Sequence, residues 1–141
     1  MIVAIRNRIK ADRRGVLSSL WIFVLFNMLF RDIHEFARPG AIEEFMELDV
    51  AEGLLLASGV VLSMFISMIV LNRVLPSGTA RWANIGVSAV AIAAMAANPP
   101  GDLDDIWFFA VEILALLAII GIAWAWRKDP AELIPDSAVV G

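Results

Sequence analysis

The sequence predicts an all-α polytopic membrane protein: a four-transmembrane-helix antiparallel bundle with a short outer amphipathic helix. Three observations carry the prediction. Hydrophobic residues make up 60% of the chain, against about 45–50% in an ordinary soluble domain. The mean hydropathy is +0.80. The apolar residues also fall into four blocks, too many to be the buried core of so short a soluble chain. A hydrocarbon core about 30 Å thick needs roughly 20 helical residues. The blocks reach that length as spans over about residues 16–31, 51–74, 81–98 and 105–126, with long arginine stems at their ends extending outward to the headgroups.

The N-terminal residues 1–15 read as a cytoplasmic basic amphipathic segment. Ile2, Ile5 and Ile9 keep helical spacing, with Arg6, Lys10 and Arg13 among them, as in a helix lying on a membrane surface. The first span opens after Arg13 and Arg14 and runs directly into Phe30-Arg31-Asp32. No small-residue cleavage pattern closes it, so it is expected to be a retained helix rather than a signal. Pro39-Gly40 breaks the chain. Ala41, Ile42, Phe45 and Met46 then form one apolar face opposed by Glu43, Glu44 and Glu47, the short outer helix.

Asp49, with Glu52 three residues on, resembles a capping box for the second span. Pro76-Ser77-Gly78-Thr79 reads as a tight turn, with Thr79 capping the third. Asn98-Pro99-Pro100-Gly101 ends that span, and Asp102, Asp104 and Asp105 favour the start of the fourth through the helix dipole. Residues 127–141 are expected to be a loose cytoplasmic tail.

Basic residues set orientation. Arg6, Arg8, Lys10, Arg13, Arg14, Arg73, Arg81, Arg127 and Lys128 fall on one side, and only Arg31 and Arg38 on the other. The positive-inside rule therefore puts both termini in the cytoplasm. Trp82, Trp107, Trp124 and Trp126 lie near span ends, with Trp21 about a turn inside, as expected of interfacial anchors. Gly59, Ser63 and Ser67 line one face of the second span, and Gly86, Ala89, Ala93, Ala94 and Ala97 enrich the third. Small residues permit close approach of helices in lipid, so these two spans are expected to be the close pair, with a homodimer seam as the alternative.

Polar residues inside spans are the candidate sites. Glu112 lies six residues past Ile106, so roughly 9 Å below the boundary. Asn27 sits at similar depth on the first span, and Ser58 enters from the second. A carboxylate at such depth needs a partner, water or a proton. Two readings stay open: a polar clasp joining the first and fourth spans, with Arg31 reaching down to Asn27, or an outward-facing polar site of Glu112, Asn27, Arg31, Asp32 and His34. His34, the sole histidine, is flanked by Asp32 and Glu35 but lacks a second ligand at helical spacing, so no metal site is expected. At the basic end, Asn72, Arg73, Arg81, Asn84 and Arg127 form a candidate site for anionic lipid or a partner. Cysteine is absent, and no phosphate loop, zinc-protease motif or nucleophile elbow is present. No cofactor, enzymatic activity or nucleic-acid binding is expected.

Leu17-Ser18-Ser19-Leu20-Trp21-Ile22-Phe23, Phe26-Asn27-Met28 and Arg31-Asp32-Ile33 in the first span carry a resemblance. So do Val70-Leu71-Asn72-Arg73-Val74-Leu75, Arg81-Trp82-Ala83-Asn84-Ile85, and Phe108-Phe109-Ala110-Val111 ahead of Glu112. Together these stretches resemble an uncharacterised bacterial family of small four-helix integral membrane proteins. The likeness covers most of residues 16–126 and implies the fold, not an activity. Met64-Phe65-Ile66-Ser67 departs from the Glu-Ile-Pro-like stretch the family pattern implies. Exposed helix faces and an acidic outer surface suit docking, so the expected role is an accessory, assembly or interaction subunit, in a larger membrane complex or a homo-oligomer. The alternative is a small transporter or channel-like carrier with Glu112 as the coupling residue.

Overall fold

The computed structural model describes residues 1–5, 12–97 and 99–126. From residue 12 onward five helices follow one another among the described residues: α1 (Arg13–Phe36), α2 (Ala41–Glu47), α3 (Glu52–Val74), α4 (Ser77–Ala97) and α5 (Leu103–Trp124). No strand occurs among the described residues. All but α2 are long and apolar enough to cross a membrane. Short connections between long helices force antiparallel neighbours. The molecule is thus an all-α, four-helix antiparallel bundle with one short amphipathic helix between its first two spans.

The helix ends differ locally from expectation. α1 starts at Arg13 because Asp12 caps it, its Oδ1 accepting from Gly15 N at 2.9 Å. α3 starts after Ala51 with no side-chain cap, so the Asp49–Glu52 capping box does not form. α4 starts at Ser77, with Ala80 N donating to Pro76 O at 2.8 Å. Thr79 consequently lies inside the first turn rather than before it. Asp102 does precede α5. Gly40 holds a left-handed backbone, φ 87°, where a β-carbon would be strained, and this lets the chain reverse into α2. Of the N-terminal amphipathic segment, residues 2–5 are helical. Residues 6–11 and the tail 127–141 lie outside the described residues.

The packing order around the bundle is α3, α1, α5, α4. α1 packs along both α3 and α5, α4 packs along α5, and α3 meets α4 only sparsely. This corrects the expected close pairing of the second and third spans. Gly59, Ser63, Ser67, Gly86, Ala89, Ala93 and Ala94 are all exposed, and a β-carbon added at Gly59 or Gly86 would meet nothing within 4 Å. The small residues of α3 point away from the bundle because Phe65 and Met68, on its opposite face, are the groups buried against α1. Trp21 stacks on Phe65, ring centroids 5.7 Å apart. The core continues through Leu17, Val24, Ala91, Leu116 and Ile119.

Candidate functional site

Two polar sites hold the bundle together, one toward each end. At the acidic end, α1 supplies Asn27 and Arg31 one turn apart on the same face, and α5 supplies Glu112. The i, i+4 spacing on α1 stacks both side chains over one patch of α5. Asn27 Nδ2 donates to Glu112 Oε1 at 3.2 Å and to Phe108 O at 3.1 Å. Arg31 Nη1 donates to Glu112 Oε2 at 3.0 Å. The Glu112 side chain is fully buried while that of Arg31 is 26% exposed. Each carboxylate oxygen thus has a donor, which is the condition for seating a carboxylate in a medium without water.

Arg31 reaches Glu112 rather than the Asn27 partner expected for it, because a carboxylate at that depth is the stronger acceptor. Asp32 and His34 do not join the cluster. Both are exposed, and His34 Nε2 lies 3.1 Å from Asp104 Oδ2 at the rim. Ser58 donates to Leu55 O within its own helix at 2.8 Å.

At the basic end, Asn84 is the centre. Its Oδ1 accepts from Trp21 Nε1 at 2.9 Å, and its Nδ2 donates to Asn72 Oδ1 and, at 2.7 Å, to Ala80 O. Asn72, Asn84 and Trp21 are all fully buried. Three spans, α1, α3 and α4, therefore meet through one chain of amide and indole groups. Arg14 closes the end of this cluster, its Nη1 donating to Asn72 O at 3.0 Å and Leu75 O at 2.7 Å, with the guanidinium 5.4 Å from the Trp126 ring. Ser18 Oγ donates to Ile69 O at 2.9 Å.

Arg81 sits between Trp82 and Trp124, 5.3 and 5.5 Å from their ring centroids, a cation–π arrangement that joins α4 to the end of α5. Arg73 is exposed and outside the cluster, and Arg127 lies beyond the described residues. Sequence reasoning missed Trp21, Arg14 and Ser18 here. Their signal was depth: buried polar groups on the first span at the level of Asn72 and Asn84 have to find one another.

The matching family model spans residues 6–132 and describes a family of unknown function, DUF6326. The chain belongs to that family. Membership covers both polar sites and all four spans, and assigns no activity. No curated protein matches the chain, and no solved structure does.

Proposed function

We propose that this member of the family is a small multi-pass subunit that docks other membrane helices onto the outward face of α3. It would sit in a bacterial inner membrane with both termini cytoplasmic. The carrying observation is the way α3 is attached. Every residue from 51 to 60 is exposed, and Gly59, Ser63 and Ser67 face away from the bundle with no neighbour above Gly59. In lipid, a row of small residues lets a second backbone come close enough for packing and weak hydrogen bonds to hold it. The basic residues Arg13, Arg14, Arg73 and Arg81 at one end of the spans support the orientation. At that same end, Arg81 and Arg14 offer guanidinium groups to anionic headgroups.

The test is the assembly state in native membrane discs. Wild-type protein is expected in a stoichiometric complex, with a larger partner or with itself. Gly59→Leu and Ser63→Leu are expected to dissolve that complex while leaving the bundle folded. A wild-type protein that is monomeric throughout contradicts the reading.

A carrier role with Glu112 as the coupling residue is the second reading, favoured by a carboxylate fully buried within a span. It requires the α1–α5 clasp to open to water. Glu112→Gln separates the two readings, since docking through α3 would survive it and coupled transport would not.

A further inference from the structure

The sparse side of the bundle, between α3 and α4, holds a cleft of about 400 Å³, within the usual range for small-molecule sites of about 300–1,000 Å³. Its walls are apolar apart from Ser58: Leu54, Leu62 and Phe65 from α3, Met95 from α4, with Val24 and Leu116 behind them. Its one charged lining group is Arg31. From Val24 to Arg31 along α1 the cleft runs about 10 Å at 1.5 Å per residue, and from Phe65 to Leu54 along α3 about 16 Å. Half of a hydrocarbon core about 30 Å thick is about 15 Å. The cleft therefore has the length of one leaflet, greasy at mid-membrane and cationic near the headgroups.

The state of Arg31 gives this shape a chemistry. Glu112 engages Nη1, and among the described residues the guanidinium forms no other hydrogen bond or ion pair, its one further carboxylate neighbour being Asp32, which feels its charge. A guanidinium has five N–H donors in a planar fork that matches a carboxylate. Its side chain is 26% exposed, so part of that fork remains reachable from the cleft. The surrounding end of the molecule is acidic, with Asp32, Glu35, Asp104 and Asp105 nearby in sequence or across the rim. Such surroundings repel a multiply charged anionic head more strongly than a singly charged one.

We infer that this cleft binds one long-chain carboxylic acid, its carboxylate on Arg31 and its alkyl chain between α3 and α4 down to Val24 and Phe65. The site is lined on α3 by Leu54, Ala57, Ser58 and Leu62 rather than by Gly59, Ser63 and Ser67, and does not rest on the docking role. Glu112 and the bound carboxylate would then share one guanidinium, so the clasp doubles as the head-group site.

The experiment uses full-length protein in discs of zwitterionic lipid, probed by native mass spectrometry with myristate, tetradecanol and a lysophosphatidylcholine of the same chain. The expected result is one retained myristate per chain, about tenfold or more tighter than the alcohol, the effect of one charge-assisted pair. Ala57→Trp narrows the cleft and should abolish retention. Leu62→Trp serves the same purpose if that variant misfolds. The double substitution Arg31→Gln with Glu112→Gln removes the head partner without stranding a buried charge, and should bind acid and alcohol alike. Equal binding of acid and alcohol by the wild type, undiminished binding in the folded cleft-filling variants, or preference for the lysophospholipid would each overturn the inference.

Discussion

Glu112 is the residue on which the acidic half of the bundle turns, and the asymmetry of its pair with Arg31 decides what substitutions do. The carboxylate is fully buried and the guanidinium is a quarter exposed. Removing the arginine strands a charge that has no access to water, whereas removing the carboxylate leaves a cation able to extend toward the headgroups. Arg31→Gln is accordingly expected to destabilise the protein by about 3 kcal/mol. Glu112→Gln should cost less, and the double substitution should recover most of the loss. Chemical unfolding in mild detergent, read as a double-mutant cycle, checks this. Equal costs for the two single substitutions would contradict it.

Asn84 plays the corresponding part at the basic end. Asn84→Leu takes the acceptor from Trp21 and the donor from Asn72 at once, and should cost about 1–2 kcal/mol, since hydrogen bonds between membrane helices are individually modest. Pairing it with Asn72→Leu should restore part of the loss. These residues show how far sequence carries the site. The depth of Glu112, Asn27 and Asn84 was legible from their distance to span ends. Their partners were not, because hydropathy fixes how deep a side chain lies but not which way it points. Trp21 read as an interfacial anchor for the same reason, although its indole N–H is spent inside the bundle.

Among the elements, α3 departs furthest from expectation. Its length and apolar character were plain in the sequence, yet its small residues suggested close packing on α4 where the structure has them exposed. In water, burial would favour the larger apolar face and expose the rest. In lipid both faces are equally well solvated, so composition alone cannot say which face meets protein.

The short helix α2 is held differently, by charges at its start. Arg38 Nη2 lies 2.8 Å from both Glu35 Oε1 and Glu44 Oε2, and Phe36 meets Phe45 edge to face. The hydrogen bond from Arg38, and then its charge, hold the Glu44 carboxyl below the ordinary glutamate range. A carboxyl with a lowered folded-state pKa contributes above its unfolded pKa, and loses that contribution as the pH falls through the lowered value. α2 should therefore loosen from α1 on acidification below the usual glutamate titration, and stay docked at neutral pH. Hydrogen exchange of α2 amides across that range checks it. Exchange that slows on acidification more than the intrinsic rate explains would be the contrary result.

The whole molecule is a bundle with one incomplete side. α1 is the hub, touching α3 and α5 and supplying both Arg31 and Trp21, so each polar site draws on this one helix, from different sides of it. The sparse α3–α4 contact leaves the cleft, and the outward side of α3 remains free. Four spans and the short amphipathic helix were legible because each satisfies a length and a polarity that lipid imposes. The order of helices around the bundle was not legible, because it depends on pairwise fits that no single segment encodes.

Everything at this scale rests on α3 meeting its own bundle along one face and leaving the others free for acyl chains or a docked helix. The chain has no cysteine, so single cysteines can be introduced along α3 and spin-labelled in lipid discs, with collision rates measured against oxygen and a water-soluble nickel chelate. In discs loaded with a single chain, so that no second helix covers α3, high oxygen and low nickel accessibility are expected at Leu56, Val60 and Val70, with low values for both at Phe65, Met68 and Asn72. Nickel accessibility that exceeds oxygen accessibility at Val60, or uniform protection around the helix, would contradict the account.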